Sequence, residues 1–229
     1  MKKIFVLIFV LFSFFLCGIE KNSVSPIEQL KITEGTKDDA MKVVENNSES
    51  GNTFLRTVAR DADIKNPLFH HLAARMRATL KVIPGVGIAA TQVGIDRRIV
   101  IVQRMDKADK PFEVYFNPEI TEYSKEVLEG WEGCLSIPAG FGKVKRPISI
   151  TIAYDTEKGR KTEKIEGFTA VIFQHEIDHL LGKLFVDRKE PGDLMPKEKY
   201  YEMRKKEKEA KEKNLEQKTQ ENKEVGGKK

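Results

Sequence analysis

Apolar residues are so unevenly spread along this chain of 229 residues that only its middle can build a core. The first nineteen residues are almost entirely apolar after Lys2 and Lys3, residues 20–51 are polar, and the stretch from Lys197 onward is nearly all charge. One compact domain is therefore expected over residues 52–196, roughly 150 residues and a comfortable size for a single core. The formal net charge of +5 is misleading, because twelve Lys/Arg against eight Glu fall in the tail from Lys197 to the end. The body is close to neutral and shows no basic stripe with interleaved aromatics, which argues against a specific nucleic-acid partner. Residues 197–229 read as a charged helix that frays into a disordered tail.

The first nineteen residues raise a question of address. Lys2 and Lys3 precede an apolar run from Ile4 to Leu16. That pattern fits a signal sequence and is short for a membrane span. The lysines place the amino end inside and the rest of the chain outside. No small-x-small triplet follows the run. Cys17 stands where bacterial lipidation would place its acceptor, although Phe14-Phe15-Leu16 are bulkier than a lipoprotein signal normally carries. Residues 1–19 are thus read as a signal peptide, a lipoprotein signal or a membrane anchor, implying export and membrane attachment through the N-terminus. Cytoplasmic residence is the alternative, and cell fractionation separates the two. Residues 20–51 lack periodicity and read as a flexible polar tether, with a mean reach of roughly 30 Å.

Within the body, Asn66-Pro67 looks like an N-cap followed by proline at the first helical position. Leu68, Leu72, Met76 and Leu80 then mark one face of a helix, which Pro84-Gly85 ends. Strand-like runs follow: RIVIVQR, FEVYFNP, ISITIAYD and KTEKIEGF, the last two separated by a Lys158-Gly159 turn. An amphipathic helix spans about Gly167 to Leu181 and stops at Gly182. A charged helix follows Pro196. Strands in succession and then a helix argue for an α+β fold.

Three short motifs carry chemistry. In His175-Glu176-x-x-His179 the histidines lie four residues apart, so on a helix both imidazoles share a face and reach one metal ion, with Glu176 beside it. The other two histidines, His70 and His71, are adjacent, face different ways on a helix, and read as surface or packing residues. A catalytic metal usually has three protein ligands and one open position. Downstream of His179 stand Asp187, Glu190 and Asp193, with no supporting pattern. Upstream stands Glu132-Gly133-Cys134-Leu135-Ser136, holding the only cysteine of the body; its thiolate would bind a divalent metal strongly. The third motif, GVGIAATQ from Gly85 to Gln92, matches a dinucleotide fingerprint superficially. It follows a helix and leads into a strand, the reverse of what that fingerprint needs. Its small residues instead suggest backbone lining a narrow cleft, with Gln92 supplying a side-chain amide.

Together, GVGIAATQ, EGCLS and QHEIDH in this order strongly resemble the peptide deformylase family, over roughly Phe54 to Lys213. The resemblance implies an α+β fold in which antiparallel strands wrap a central helix carrying the two histidines. It implies removal of the formyl group from N-formylmethionyl peptides or nascent chains, releasing formate. Cys134, His175 and His179 would hold one divalent ion per chain, Fe2+ first, with Zn2+, Ni2+ or Co2+ as alternatives. A water on that metal would be the nucleophile, with Glu176 as general base and then acid. Gln92 and the backbone N–H of Leu135 would receive the developing negative charge. By family position, Val86, Gly87, Glu132, Phe168 and Val171 would bind substrate; no cofactor other than the metal is implied. Asp178 and Arg146 would hold the helix and a loop in register. A monomer is expected.

This chain departs from the family pattern in places. Trp131 stands where many relatives carry an acidic residue. Ala139-Gly140-Phe141-Gly142 replaces a stretch that in some relatives includes a basic residue at the substrate. Two other readings compete: an HExxH metallopeptidase, and a membrane-tethered deformylase-like protein that binds without catalysis. Cys134 and the missing downstream ligand argue against the first. The intact motifs argue against the second.

Overall fold

The computed structural model describes residues 23–226. The expected leader and Cys17 lie outside the described residues. Among the described residues, no helix is long and apolar enough to cross a membrane.

The chain runs α1 (Pro26–Thr33), α2 (Glu49–Leu55), α3 (Pro67–Val82), β1 (Gly87–Ala89), a 3-10 turn (Ala90–Val93), β2 (Ile99–Gln103), β3 (Phe112–Tyr123), β4 (Val127–Cys134), β5 (Ile137–Pro147), β6 (Ser149–Thr156), β7 (Gly159–Glu166), α4 (Gly167–Leu180), a second 3-10 turn (Phe185–Asp187) and α5 (Lys197–Gly226). Strands β1, β2, β3, β6 and β7 form one antiparallel sheet in that spatial order, and β4 and β5 form a separate hairpin. The α+β expectation is met.

Local chemistry sets the boundaries of the two main helices. The Asn66 side chain accepts a hydrogen bond from the Leu68 N–H at 3.0 Å, and Pro67 opens α3. Helix α4 closes with Gly182 at φ 67°, with Lys183 N–H bonding Asp178 O at 2.9 Å and Gly182 N–H bonding His179 O at 3.2 Å. That pair of bonds is a Schellman ending, and it depends on the left-handed glycine. A side chain on Gly182 would also collide with the Arg56 carbonyl.

Strand β2 explains how the sheet is sandwiched. Ile99 and Ile101 pack with Phe69, Leu72 and Met76 of α3. Val100 and Val102 pack on the opposite face with Ile172, Phe173 and Ile177 of α4. A strand buried on both faces reads as an unbroken apolar run rather than an alternating one, which is why IVIVQ lacks a polar side. A smaller cluster of Leu55, Ile137, Val144, Leu184 and Phe185 fixes the β4–β5 hairpin to the body.

The structure corrects the domain boundary at residue 52. The described part of the presumed tether, residues 23–51, is packed onto the domain. Ser25 and Ser48 cap α1 and α2. Ile32 and Met41 enter the core beside α3. Glu28 makes a two-pronged ion pair with Arg97, at 2.6 and 2.9 Å, and the Arg97 side chain is 0 % exposed. Arg60 binds the same carboxylate at 3.2 Å. The segment's polarity carries no local sign of this docking, because its partners lie far along the chain. We expect Glu28→Ala to cost about 3 kcal/mol by stranding a buried guanidinium. A urea midpoint unchanged from wild type would contradict this docking.

The hairpin β4–β5 was absent from the sequence reading. Its glycines, and strand residues that are mostly exposed in β4, leave no period-two signal. Of the two adjacent histidines, His70 is exposed at the surface and His71 is half-buried, in keeping with surface or packing roles. His70 Nε2 contacts the Ile64 carbonyl at 2.6 Å, and His71 Nε2 contacts that of Gly35 at 2.9 Å.

Candidate metal centre

Three elements converge on one cleft. Helix α4 presents His175, Glu176 and His179 between the large sheet and the hairpin. The end of β4 brings Cys134. The 3-10 turn after β1 brings Gln92. One ligand atom from each of Cys134, His175 and His179 lies within 4.8 Å of the others, and Cys134 Sγ is 3.2 Å from His179 Nε2. Atoms this close can meet one ion through bonds of about 2.0–2.3 Å. A thiolate and two imidazoles are also the donor chemistry that divalent iron and zinc take. The residues therefore fit a metal.

The groups behind the ligands are equally ordered. Glu132 Oε2 lies 2.9 Å from His175 Nδ1, which leaves His175 Nε2 to face the cleft. Arg146 grips Glu132 with two hydrogen bonds, at 2.8 and 2.9 Å, and donates to Asp178 from its other nitrogen. Arg188 adds two bonds to Asp178, both 2.6 Å. Glu132, Arg146 and Asp178 are all buried. Burial opposes ionisation of Glu132, but the hydrogen bonds from Arg146 and His175 prevail and hold its pKa at about 2. Arg146 and Asp178 thus tie α4 to the hairpin, and Arg188 is a partner that the sequence reading missed. Glu132 departs from its expected place among the substrate contacts. It borders the cleft, but its carboxylate is committed to Arg146 and His175.

Gln92 owes its orientation to the backbone three residues before it. The Ala89 N–H donates to Gln92 Oε1 at 2.8 Å, so the amide nitrogen must face the other way. It points at Cys134 Sγ and Ser136 Oγ, each at 3.4 Å. The misread tether supports this turn from behind, since Val44 N–H bonds Gln92 O at 2.8 Å and Asn46 N–H bonds Ser136 O at 2.9 Å.

Glu176 is unlike its neighbours. One carboxylate oxygen, Oε2, is buried without a hydrogen-bond partner, and the other side of the carboxylate rests on Gly87. A Cβ at Gly87 would sit 2.5 Å from Glu176 Oε1, so a side chain there would push the Glu176 carboxylate out of place. Burial pushes the Glu176 pKa up to about 7, and nearby Glu132 adds to the rise, while His175 and Arg146 oppose it. Burial also drives His179 well below its ordinary value, keeping it neutral as a ligand must be. His175 goes the other way despite its burial, because Cys134 and Glu132 favour its proton; a bound cation displaces that proton.

The cleft has a volume of about 500 Å³. Val86, Gly87, Leu135, Phe168 and Val171 line it together with Gln92, Glu132, Cys134, His175 and Glu176. Every sequence-predicted site residue except His179 is on that wall, and His179 Nε2 is in contact with Cys134 Sγ. The sequence reading missed Trp131, Phe141, Tyr200 and Tyr201 as wall residues. Two of the downstream acids are engaged elsewhere: Asp187 pairs with Arg56 and Glu190 with Lys145.

Comparison with known proteins agrees with this geometry. The family model described as polypeptide deformylase matches residues 43–194. Peptide deformylase from Pseudomonas aeruginosa is 39% identical over 134 residues, covering 58% of this chain and 79% of that protein. The one from Desulforudis audaxviator is 42% identical over 138 residues, covering 59% and 86%. Among solved structures, a class I type b peptide deformylase from Acinetobacter baumannii, bound to Met-Ala-Ser, is similar with a TM-score of 0.58 and 36% identity, covering 66% of this chain and 99% of that one. Peptide deformylase from Thermotoga maritima gives a TM-score of 0.59 at 33% identity, again covering 66% and 99%. With more than half of its length matched by the family model and with its thiol and two imidazoles gathered at one point, the chain belongs to the polypeptide deformylase family.

Proposed function

We propose that this chain removes the N-formyl group from N-formylmethionyl peptides or nascent chains and releases formate, using one divalent ion held by Cys134, His175 and His179. The observation that carries the reading is the placement of Glu176. Its partnerless carboxylate oxygen is buried in the same cleft as the three clustered ligand atoms. The donor set suits Fe2+, with Zn2+, Ni2+ and Co2+ as substitutes.

When bound, such an ion acts as a Lewis acid that brings the pKa of water toward neutrality. The chain's own groups do the rest. Glu176 Oε2 takes a proton from the attacking water and passes it to the amine that leaves. The Gln92 amide, held donor-side inward by Ala89, donates to the oxygen on which negative charge grows. The Leu135 N–H is the second donor. Each is worth about 10²–10³ in rate. Strand β1 lies at the edge of its sheet, where an extended peptide can pair with Gly87. Val86, Phe168 and Val171 then offer apolar surface to the methionine side chain.

Cys134 supplies the third ligand atom from upstream, and Asp187 and Glu190 after His179 are paired with Arg56 and Lys145, so the metallopeptidase alternative is disfavoured. The full chain, purified without oxygen, is expected to release formate from formyl-Met-Ala-Ser. A protein that holds its metal yet leaves this peptide untouched would favour the non-catalytic reading.

A further inference from the structure

The far wall of the cleft is aromatic and is built partly from outside the family match. Phe141 and Tyr200 stack with ring centroids 3.7 Å apart and planes at 14°. Trp131 meets Tyr200 edge-on at 6.0 Å, and Tyr201 meets Phe141 edge-on at 5.8 Å. All four rings line the same cleft as Cys134, His175 and Glu176. Tyr200 and Tyr201 belong to the first turns of α5, beyond residue 194, where the family model ends.

The backbone holds this wall against the metal centre. Phe141 and Met195 exchange two hydrogen bonds, N–H to O at 2.9 Å and 2.8 Å, so the chain entering α5 adds to the edge of β5. Gly140, at φ 146°, permits the approach, since a side chain there would collide with the Met195 carbonyl. The Phe141 ring in turn lies against Gly133, the residue before Cys134, where a Cβ would come within 2.4 Å of it. Rings stacked merely to anchor a helix would be covered. Here Trp131, Phe141 and Tyr200 are only half-buried, and Tyr201 at the rim is 60% exposed. Apolar surface left open beside an active cleft is characteristic of binding sites.

We propose that Trp131, Phe141 and Tyr200, with Tyr201 at the rim, form a subsite for an apolar or aromatic side chain downstream of the formylated residue. The inference rests on the deformylase reading. It makes the start of α5 a determinant of which formylated peptides are processed fastest. An aromatic contact of this kind contributes a factor of about three to ten.

Two measurements test it on the full, metal-loaded chain. The first is the ratio of kcat/KM for formyl-Met-Ala-Phe to that for formyl-Met-Ala-Ser. Wild type is expected to favour the phenylalanine peptide, Tyr200→Ala to lower the ratio about threefold to tenfold, and Tyr200→Phe to keep it. The second needs no turnover. Trp131 is the only tryptophan, so its fluorescence reports directly on the subsite. Met-Ala-Phe is expected to change it at lower concentration than Met-Ala-Ser does, and Tyr200→Ala is expected to erase the difference. If neither peptide is deformylated but the fluorescence difference holds, the subsite stands and the activity assignment falls. A ratio near one in wild type with equal fluorescence titrations, or a ratio unmoved in Tyr200→Ala while its melting temperature drops, makes the rings a helix anchor only and overturns the proposal. A preference for an acidic peptide, drawn by the neighbouring Lys197, overturns it as well.

Discussion

Glu176→Ala is expected to bind its metal as wild type does and to lose about 10²–10⁴ of its rate, the usual worth of a positioned proton carrier. The structure separates this loss from damage to the fold. Cys134, His175 and His179 are untouched by the change, and Glu132 still orients His175. Glu176 itself is a stability liability, because Oε2 is buried without a partner. Removing an unsatisfied buried carboxylate relieves its desolvation cost. The melting temperature should therefore hold or rise as the activity falls. Formate release and thermal melts on the same preparation check both halves. A variant that keeps its rate, or one that loses metal in step with activity, would show that Glu176 is not the proton carrier.

Arg146→Met is expected to act in the opposite sense, on the fold first. Arg146 is 3% exposed and stands between two buried carboxylates, Glu132 and Asp178. Asp178 retains Arg188, but Glu132 is left with His175 alone. Breaking a buried pair from one side costs about 3–5 kcal/mol. Urea unfolding should show that loss as a lower midpoint. The metal should also bind about 10–100-fold more weakly, since Glu132 no longer holds the His175 ring rigidly. A loss below about 1 kcal/mol would mean that the network does not brace the hairpin against α4.

The elements legible in the sequence were those whose signals are local. Asn66 caps α3 through a bond to a residue two positions away, and Gly182 ends α4 through its own backbone angle. The metal ligands were legible for a related reason: the two imidazoles are fixed by helical spacing, and the body holds one cysteine. What stayed hidden depends on partners far along the chain. Glu28 is a polar residue in a polar stretch until it meets Arg97, 69 residues on. The β4–β5 hairpin had no pattern to read, because it is steadied by Leu55 and Phe185 from either end of the domain. Glu132 is expected among the substrate contacts by family position. Only the fold shows that its carboxylate turns away to Arg146 and His175. The aromatic wall was hidden for the same reason, since Tyr200 joins Phe141 from a helix that reads as nothing but charge.

The most direct test of the central claim is a titration of the metal-free chain with a divalent ion, with formate release from formyl-Met-Ala-Ser measured at each step. Activity is expected to climb in proportion to bound metal and to stop at one ion per chain, with Cys134→Ser binding more weakly and turning over little. Activity independent of the added ion, or a Cys134→Ser variant that matches wild type in both binding and turnover, would contradict the assignment of Cys134, His175 and His179 as the metal site of a deformylase.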